Sequence, residues 1–336
     1  MTYELTLLPG DGIGPEVTAA TIAVIAASGV DIRWNPMAAG ASAVASHGTP
    51  LPDETLRTIE RTRVALKGPI TTPVGSGFTS VNVAIRQALD LYVSLRPVRS
   101  IPGVKTRHEG VDLVIFRENT EGLYAGREHE PVPGVVETLR VVSEVACTRI
   151  CRWANTWARA EGRRRVTLVH KANIMKLSDG LFLNAFRAIE DETPFLRHDD
   201  MLVDDVCREL VLDPSPFDCM VMENLYGDVL SDLAAGLVGG LGVVPGANIG
   251  DRYAVFEAVH GSAPDIAGKG IANPTALIQS GVLLLRHIGE RKAADRVERA
   301  LLAVLAAGEV RTGDLGGRAN TAEFRDAIIA AIEVQS

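Results

Sequence analysis

Short apolar runs of strand length alternate along this chain with longer stretches whose apolar residues recur every three to four positions, which is the pattern of an α/β protein. Tyr3 to Leu8 reads as a first strand, and the segment after the Gly10 to Glu16 turn as a helix through about Ala27. Val30 to Ala38 and Val64 to Leu66 read as further strands, with a helix at about Asp53 to Thr62 between them. Val111 to Phe116, Val166 to His170 and Phe217 to Met222 are strong strand runs, while Pro131 to about Val142 alternates and suits an arm of two strands. Helices are expected up to about Glu161, at about Asp179 to Ile189, from Leu225 onward, at Thr275 to Ile288, at Lys292 to Ala306 and at the end of the chain. Asn224 is placed to cap the helix that follows Met222.

On that helix Asp228 and Asp232 are four residues apart and share a face, near the carboxyl end of a strand, where open α/β sheets collect ligands. Like charges so placed repel. Either a cation sits between them, or they form a solvated acidic face with one Asp near the helix N-terminus. Hard oxygen donors point to magnesium or manganese rather than zinc.

Other strand ends also carry candidate chemistry. Lys67 to Gly77 is a loop dense in Gly, Pro and hydroxyl groups, and the helix after it carries Ser80, Asn82 and Arg86 at its beginning. With Arg96 and Arg117, Arg86 completes a set of three arginines beside predicted element ends, which suits a polyanionic small molecule because guanidinium groups bind carboxylates bidentately. Lys171 ends a strand and is a candidate base if neighbouring cations disfavour its ammonium form. Met201 to Asp205 again delivers carboxylates to a helix start. The first turn, Gly10-Asp-Gly-Ile-Gly-Pro15, lacks the third glycine of the Rossmann fingerprint, so a Rossmann dinucleotide fold is not expected.

The 336 residues fit one large domain or two intimately packed ones, without internal repeats or a flexible linker. A net charge of −8 argues against non-specific nucleic-acid binding. The seven histidines are scattered along the chain, so no His cluster supports a metal-dependent enzyme of phosphorylated acids. Cys147, Cys151, Cys207 and Cys219 have neither zinc-ligand spacing nor the density of a secreted disulfide scaffold. Reduced thiols, no basic stretch before the first apolar run and no apolar segment approaching membrane-spanning length together suggest a cytoplasmic protein.

Five segments taken together carry a resemblance: Gly10-Asp-Gly-Ile-Gly-Pro-Glu, Arg117-Glu-Asn-Thr-Glu-Gly-Leu-Tyr, Lys171-Ala-Asn, Asn224-Leu-Tyr-Gly-Asp-Val-Leu-Ser-Asp and His260-Gly-Ser-Ala-Pro-Asp-Ile-Ala-Gly. In this order the chain resembles the β-decarboxylating dehydrogenases, the family of isocitrate, homoisocitrate, 3-isopropylmalate and tartrate dehydrogenases. The resemblance implies a two-domain α/β fold with a mixed sheet, not a Rossmann fold. Residues 1–98 and 247–336 would form a large cofactor-binding domain, and residues 99–246 a small domain with a dimerisation arm at about 125–145. It also implies a homodimer, or a tetramer, with shared active sites and no nucleic-acid or membrane partner.

By the same resemblance Asp228 and Asp232 match the metal carboxylates of one protomer and Asp204 the third, offered by its partner. Arg86, Arg96 and Arg117 match the arginines that grip the malate portion of the substrate, Tyr124 the general acid, and Lys171 the base, with Asn173 beside it. Gly261, Ala263, Asp265, Ile266 and Asn273 match the loop that holds the adenosine half of the cofactor. Ile13, His260 and Asp314 complete the expected cofactor site, while Glu257 and Thr72 lie where the nicotinamide half is approached.

Cofactor and substrate choice can be read from the same positions. Asp265 and Ile266 stand where NADP-using relatives carry a Lys and a Tyr, and Gly313 and Gly317 replace a further Tyr and Arg. A carboxylate accepts hydrogen bonds from ribose hydroxyls but repels a phosphate, so NAD is expected. Ser80 and Asn82 before Arg86 resemble the isocitrate branch, which implies oxidative decarboxylation of isocitrate to 2-oxoglutarate with Mg2+ or Mn2+, as in the tricarboxylic acid cycle. Phe78 and Thr79 leave room for a related 3-substituted malate such as homoisocitrate, 3-isopropylmalate, tartrate or a specialised analogue. A non-catalytic regulatory subunit is the alternative of a different kind, and retention of Tyr124 and Lys171 argues against it.

Overall fold

The computed structural model describes residues 2–73 and 80–334, so Phe78 and Thr79 lie outside the described residues. In chain order the strands are β1 (Tyr3–Leu8), β2 (Ile32–Pro36), β3 (Val64–Lys67), β4 (Val93–Arg99), β5 (Asp112–Glu118), β6 (Gly122–Val132), β7 (Val135–Val141), β8 (Arg165–His170), β9 (Arg197–Leu202), β10 (Cys219–Met222), β11 (Pro245–Ile249) and β12 (Ala254–Ala258). The helices are α1 (Gly14–Ala27), α2 (Ala41–His47), α3 (Asp53–Thr62), α4 (Val81–Ala88), α5 (Glu144–Ala160), α6 (Ser178–Ala188), α7 (Val203–Leu212), α8 (Asn224–Val238), α9 (Thr275–His287), α10 (Arg291–Ala307) and α11 (Thr321–Val334).

Ten strands form one sheet in the order β2-β1-β3-β12-β11-β4-β5-β10-β8-β9. The two wings are parallel, whereas β12, β11, β4 and β5 pair antiparallel in the middle. Three successive reversals leave the wings pointing in opposite directions, which no Rossmann sheet does. Because paired residues share a face, the register places Arg117, Ser94 and Asn248 in one row and Gly246, Glu257 and Lys67 in the next, on the same side. The opposite side carries the apolar row Phe116, Leu95, Ala247 and Phe256. The polar centre is therefore a face of the sheet, and not only the region beyond a strand end.

Helices α1, α9, α10 and α11 pack on one another, and α5, α6 and α8 cover the other wing. The two-stranded arm, β6 and β7, stands apart from the main sheet and begins earlier than the alternation at Pro131 indicates. A lone hairpin is marginal in water, and this one leaves Val132, Val135, Val136 and Leu139 about half exposed or more. The expected cap of α8 is corrected: Asn224 is the first helical residue, and the Glu223 carboxylate accepts the Tyr226 N–H at 2.9 Å. Glu223 reaches the helix start because Asn224 is already engaged, donating to the Glu121 carbonyl and accepting from Arg117.

Candidate active site

The glycine-rich first turn positions chain segments. Gly10 and Gly12 both adopt positive φ, and a Cβ on either would overlap a carbonyl, that of Pro69 or Ser262. Asp11 accepts backbone N–H groups from Ala41, Ser42 and Thr71, and Ile13 donates its N–H to Ser262 at 2.9 Å. Glu16 accepts from Gly270 and Ala272. The motif thus fixes the loop from His260 to Asn273 against α1, and Ile13 lines the cleft that results.

That cleft, of about 670 Å³, is lined by Ile13, His260, Gly261, Ala263, Ile266, Asn273 and Asp314. Asn273 donates to the Asp314 carboxylate at 2.8 Å, and the Thr312 hydroxyl donates to its other oxygen at 2.6 Å. Asp265 is exposed on the rim, in the short turn Pro264–Ile266, and Thr72 is exposed beside Thr71, whose hydroxyl meets that of Ser262 at 2.7 Å. Arg318 also lines the cleft, a cation that the reading of Gly313 and Gly317 overlooked.

A second, smaller cleft of about 110 Å³ lies next to it, with His260 and Gly261 shared between the two. Its floor is the polar face of the sheet, lined by Lys67, Ser94, Arg96, Asn248 and Glu257, with Asn82 and Arg86 from α4 above. Ser80 caps α4, accepting from the Val83 N–H, and so points this helix at the cleft. Asn82 Oδ1, Arg86 Nε and His260 Nε2 are buried without a hydrogen-bond partner among the described residues. Three such orphans around one cavity signal a missing polar ligand, since buried polar groups are otherwise nearly always satisfied. Burial holds the His260 imidazole below its usual range, so it is neutral near pH 7.

Arg117 is essentially buried, and Arg96 and Arg86 are almost so. Burial, together with its neighbours Arg96 and Arg86, lowers the Arg117 guanidinium to about 10. Arg117 pairs with Asp228 and with Asn224, at 2.9 Å for the latter. Arg96 Nη1 stands 3.7 Å from a carboxylate oxygen of each of Asp228 and Asp232, so one guanidinium faces both acids. Glu257 takes Lys67 at 2.5 Å, Arg86 at 3.2 Å and Asn248 at 2.5 Å. Glu257, Lys67 and Asn248 thus form a buried network of which the sequence suggested only Glu257.

Tyr124, at the base of the arm, donates its hydroxyl to Asp228, and its ring lies under Arg117 at 5.0 Å. Burial and the Asp228 hydrogen bond raise the phenol above its usual range, so it keeps its proton at neutral pH. Burial would raise the Asp228 carboxyl, but Arg117 and the Tyr124 hydroxyl outweigh it and keep it ionised, whereas burial and Asp228 together raise Asp232.

Lys171 and Asp204 form a separate group. Lys171 pairs with Asp204, at the start of α7, and Asn173 is exposed beside it. Among the described residues no hydrogen bond or ion pair links the Lys171 ammonium or Asp204 to Tyr124, Asp228 or Asp232. Likewise no three acidic, His or Cys side chains gather closely enough to hold a metal. The donor chemistry of Asp228 and Asp232 suits a hard divalent ion, and a complete shell needs a further donor from outside this group.

The family model described as isocitrate/isopropylmalate dehydrogenase matches residues 4–328. A mitochondrial NAD isocitrate dehydrogenase regulatory subunit of Dictyostelium discoideum is 46% identical over 330 residues, 98% of this chain and 92% of that protein. The mitochondrial NAD isocitrate dehydrogenase catalytic subunit 5 of Arabidopsis thaliana is 48% identical over 324 residues, 96% of this chain and 87% of that protein. The crystal structure of isocitrate dehydrogenase from Methylococcus capsulatus superposes with a TM-score of 0.96 at 51% identity, covering 98% of this chain and 99% of the other.

Proposed function

Since the chain belongs to the isocitrate/isopropylmalate dehydrogenase family, we propose that it converts isocitrate and NAD to 2-oxoglutarate, carbon dioxide and NADH, with Mg2+ or Mn2+ as the metal cofactor. The observation that carries the substrate is the charge of the small cleft. Lys67, Arg86 and Arg96 line it with Glu257, and Arg96 also faces Asp228 and Asp232, which Arg117 joins, so the four cations and three acids of the combined site leave one cation over before any metal arrives. A divalent ion enlarges that excess, which a tricarboxylate balances better than a dicarboxylate with an alkyl group. The orphaned Arg86 Nε–H is a donor aimed at the extra carboxylate and offers nothing to an isopropyl group, while the orphaned Asn82 Oδ1 accepts from a substrate hydroxyl.

Asp228 and Asp232, with Asp204 of the partner subunit, would hold the ion, and Ile13, Gly261, Ala263, Ile266 and Asn273 would hold NAD, with Asp265, Thr72 and Glu257 at its edges. Bound there, the ion supplies Lewis acidity and NAD accepts a hydride. Arg86, Arg96 and Arg117 hold the substrate carboxylates and so orient its hydroxyl-bearing carbon. Ser80 and Asn82 select the third carboxylate. The partner subunit's Lys171, with Asn173 beside it, takes the hydroxyl proton directly or through water, and Tyr124 returns a proton to the carbon that loses carbon dioxide.

The same parts support a homodimer. The exposed Val136 of the arm, Val229 of α8, and Ile174 and Leu177 beside Lys171 form apolar surface near both half-sites. The division at residues 98/99 and 246/247 passes through β11, so the two domains would pivot about the antiparallel centre of the sheet. The two eukaryotic relatives are named as mitochondrial, whereas the sequence suggested the cytoplasm; four free cysteines suit either reducing interior.

One relative is named a regulatory subunit, so a non-catalytic role is the second reading. Tyr124 on Asp228 and the Lys171–Asp204 pair favour catalysis. Purified protein assayed alone for NADH formation on isocitrate, homoisocitrate, isopropylmalate, malate and tartrate, with magnesium or manganese, tests both. Isocitrate is expected to give the highest kcat/KM, and chelation to abolish turnover. Higher kcat/KM on another acid would replace the substrate assignment, and activity only with an added catalytic subunit would establish the regulatory role.

A further inference from the structure

On the face of the sheet opposite the small cleft, a trough of about 490 Å³ runs between α5 and α9. Its floor is made by the side chains that β4 and β12 turn away from the cleft, Leu95, Pro97 and Phe256. Trp153 and Trp157, one helical turn apart on α5, form one wall, and both meet Phe116 edge-on at 5.8 and 5.4 Å between centroids. Val282 and Leu283 of α9 form the other. This volume falls among those of small-molecule sites, and its ring-lined walls set the shape of an occupant.

The polar rim has an imbalance. Glu298 is engaged by Arg286 at 2.6 Å, Arg99 by Asp112 at 3.0 Å and Asp251 by the Tyr92 hydroxyl at 2.9 Å. Among the described residues the Trp153 and Trp157 indole N–H groups and the Arg291 guanidinium have no acceptor, against one lining carboxylate without a partner, Glu161. The unpaired groups are mostly donors, and a single free carboxylate disfavours a polyanion such as the substrate of the cleft.

We propose that this trough binds a flat, ring-bearing organic monoanion, its ring against Trp153 and Trp157 and its acidic group on Arg291. Isothermal titration of the purified protein with 2-naphthoate, and with 2-naphthamide as the uncharged counterpart, tests the assignment. Naphthoate is expected to bind once per chain and to quench tryptophan emission, with the amide about tenfold weaker. Arg291→Gln should reduce naphthoate to the affinity of the amide, and Leu283→Trp, which fills the trough, should remove binding. Both variants should retain dehydrogenase turnover, which confirms their folding. The proposal is overturned by non-saturable binding, by affinity indifferent to Leu283→Trp, or by simple competition with isocitrate. It is equally overturned if acrylamide quenching of the tryptophans rises on dilution, because a second copy would then cover the trough.

Discussion

One carboxylate oxygen of Asp179 accepts the backbone N–H of Lys171 at 2.6 Å, and the other accepts Arg140 at 2.5 Å. Arg140 comes from β7 of the arm and lies over the Tyr226 ring of α8 at 5.2 Å. The proposed base is therefore tied through one buried acid to both the arm and the helix of Asp228. Asp179→Ala is expected to lower kcat about 10- to 100-fold through misplacement of Lys171, with the KM for NAD little changed. A parallel rise in the NAD KM would point to general loss of structure instead.

Tyr124→Phe removes the hydroxyl on Asp228 but leaves the ring under Arg117. Turnover should fall about 10²- to 10⁴-fold while isocitrate still binds, as read by calorimetry in the presence of metal. Weak binding with near-normal turnover would mean that Tyr124 holds substrate rather than delivering a proton.

Glu257 sets an acid limit on stability. Burial alone would raise its carboxyl, but Lys67 and Arg86 hold it far below the glutamate range. It therefore stabilises the fold above the unfolded value, about pH 4.3, and this contribution is lost as the pH falls from there toward the folded value. Glu257→Gln leaves Lys67 and Arg86 buried without their counter-charge, at a cost of about 3 kcal/mol at pH 7. Its stability should also decline less steeply than wild type between about pH 5 and 3. Urea unfolding across that range reads both effects, and parallel curves would contradict them.

Asp265→Lys with Ile266→Tyr places a cation and a hydroxyl at the rim of the larger cleft, where Arg318 already stands. The ratio of kcat/KM for NADP to that for NAD is expected to rise by at least about tenfold. An unchanged ratio would mean that this rim does not read the ribose 2′ position.

Much of this architecture was legible because its strands and helices are regular. α3 spans the predicted Asp53–Thr62, and β1 and β8 also match, since their apolar runs are buried as a parallel sheet requires. The centre of the sheet was not legible. β4 contains Ser94-Leu-Arg-Pro-Val-Arg99, and Arg96 within it is buried because acids from α8 meet its guanidinium. β11 carries Pro245 and Gly246, which signal a turn in isolation, yet Gly246 lies opposite Glu257 in register. In the Lys67–Glu257–Asn248 network Lys67 lies far in sequence from the other two, and no local pattern announces such a contact.

Tyr124 with Asp228 stands in one group and Lys171 with Asp204 in another, and in the proposed homodimer a working centre borrows one half from each copy. Two dead genes can then rescue one another. Co-expressed Tyr124→Phe and Lys171→Met chains would form hybrids in which one centre carries both lesions and the other none, restoring about a quarter of the wild-type output.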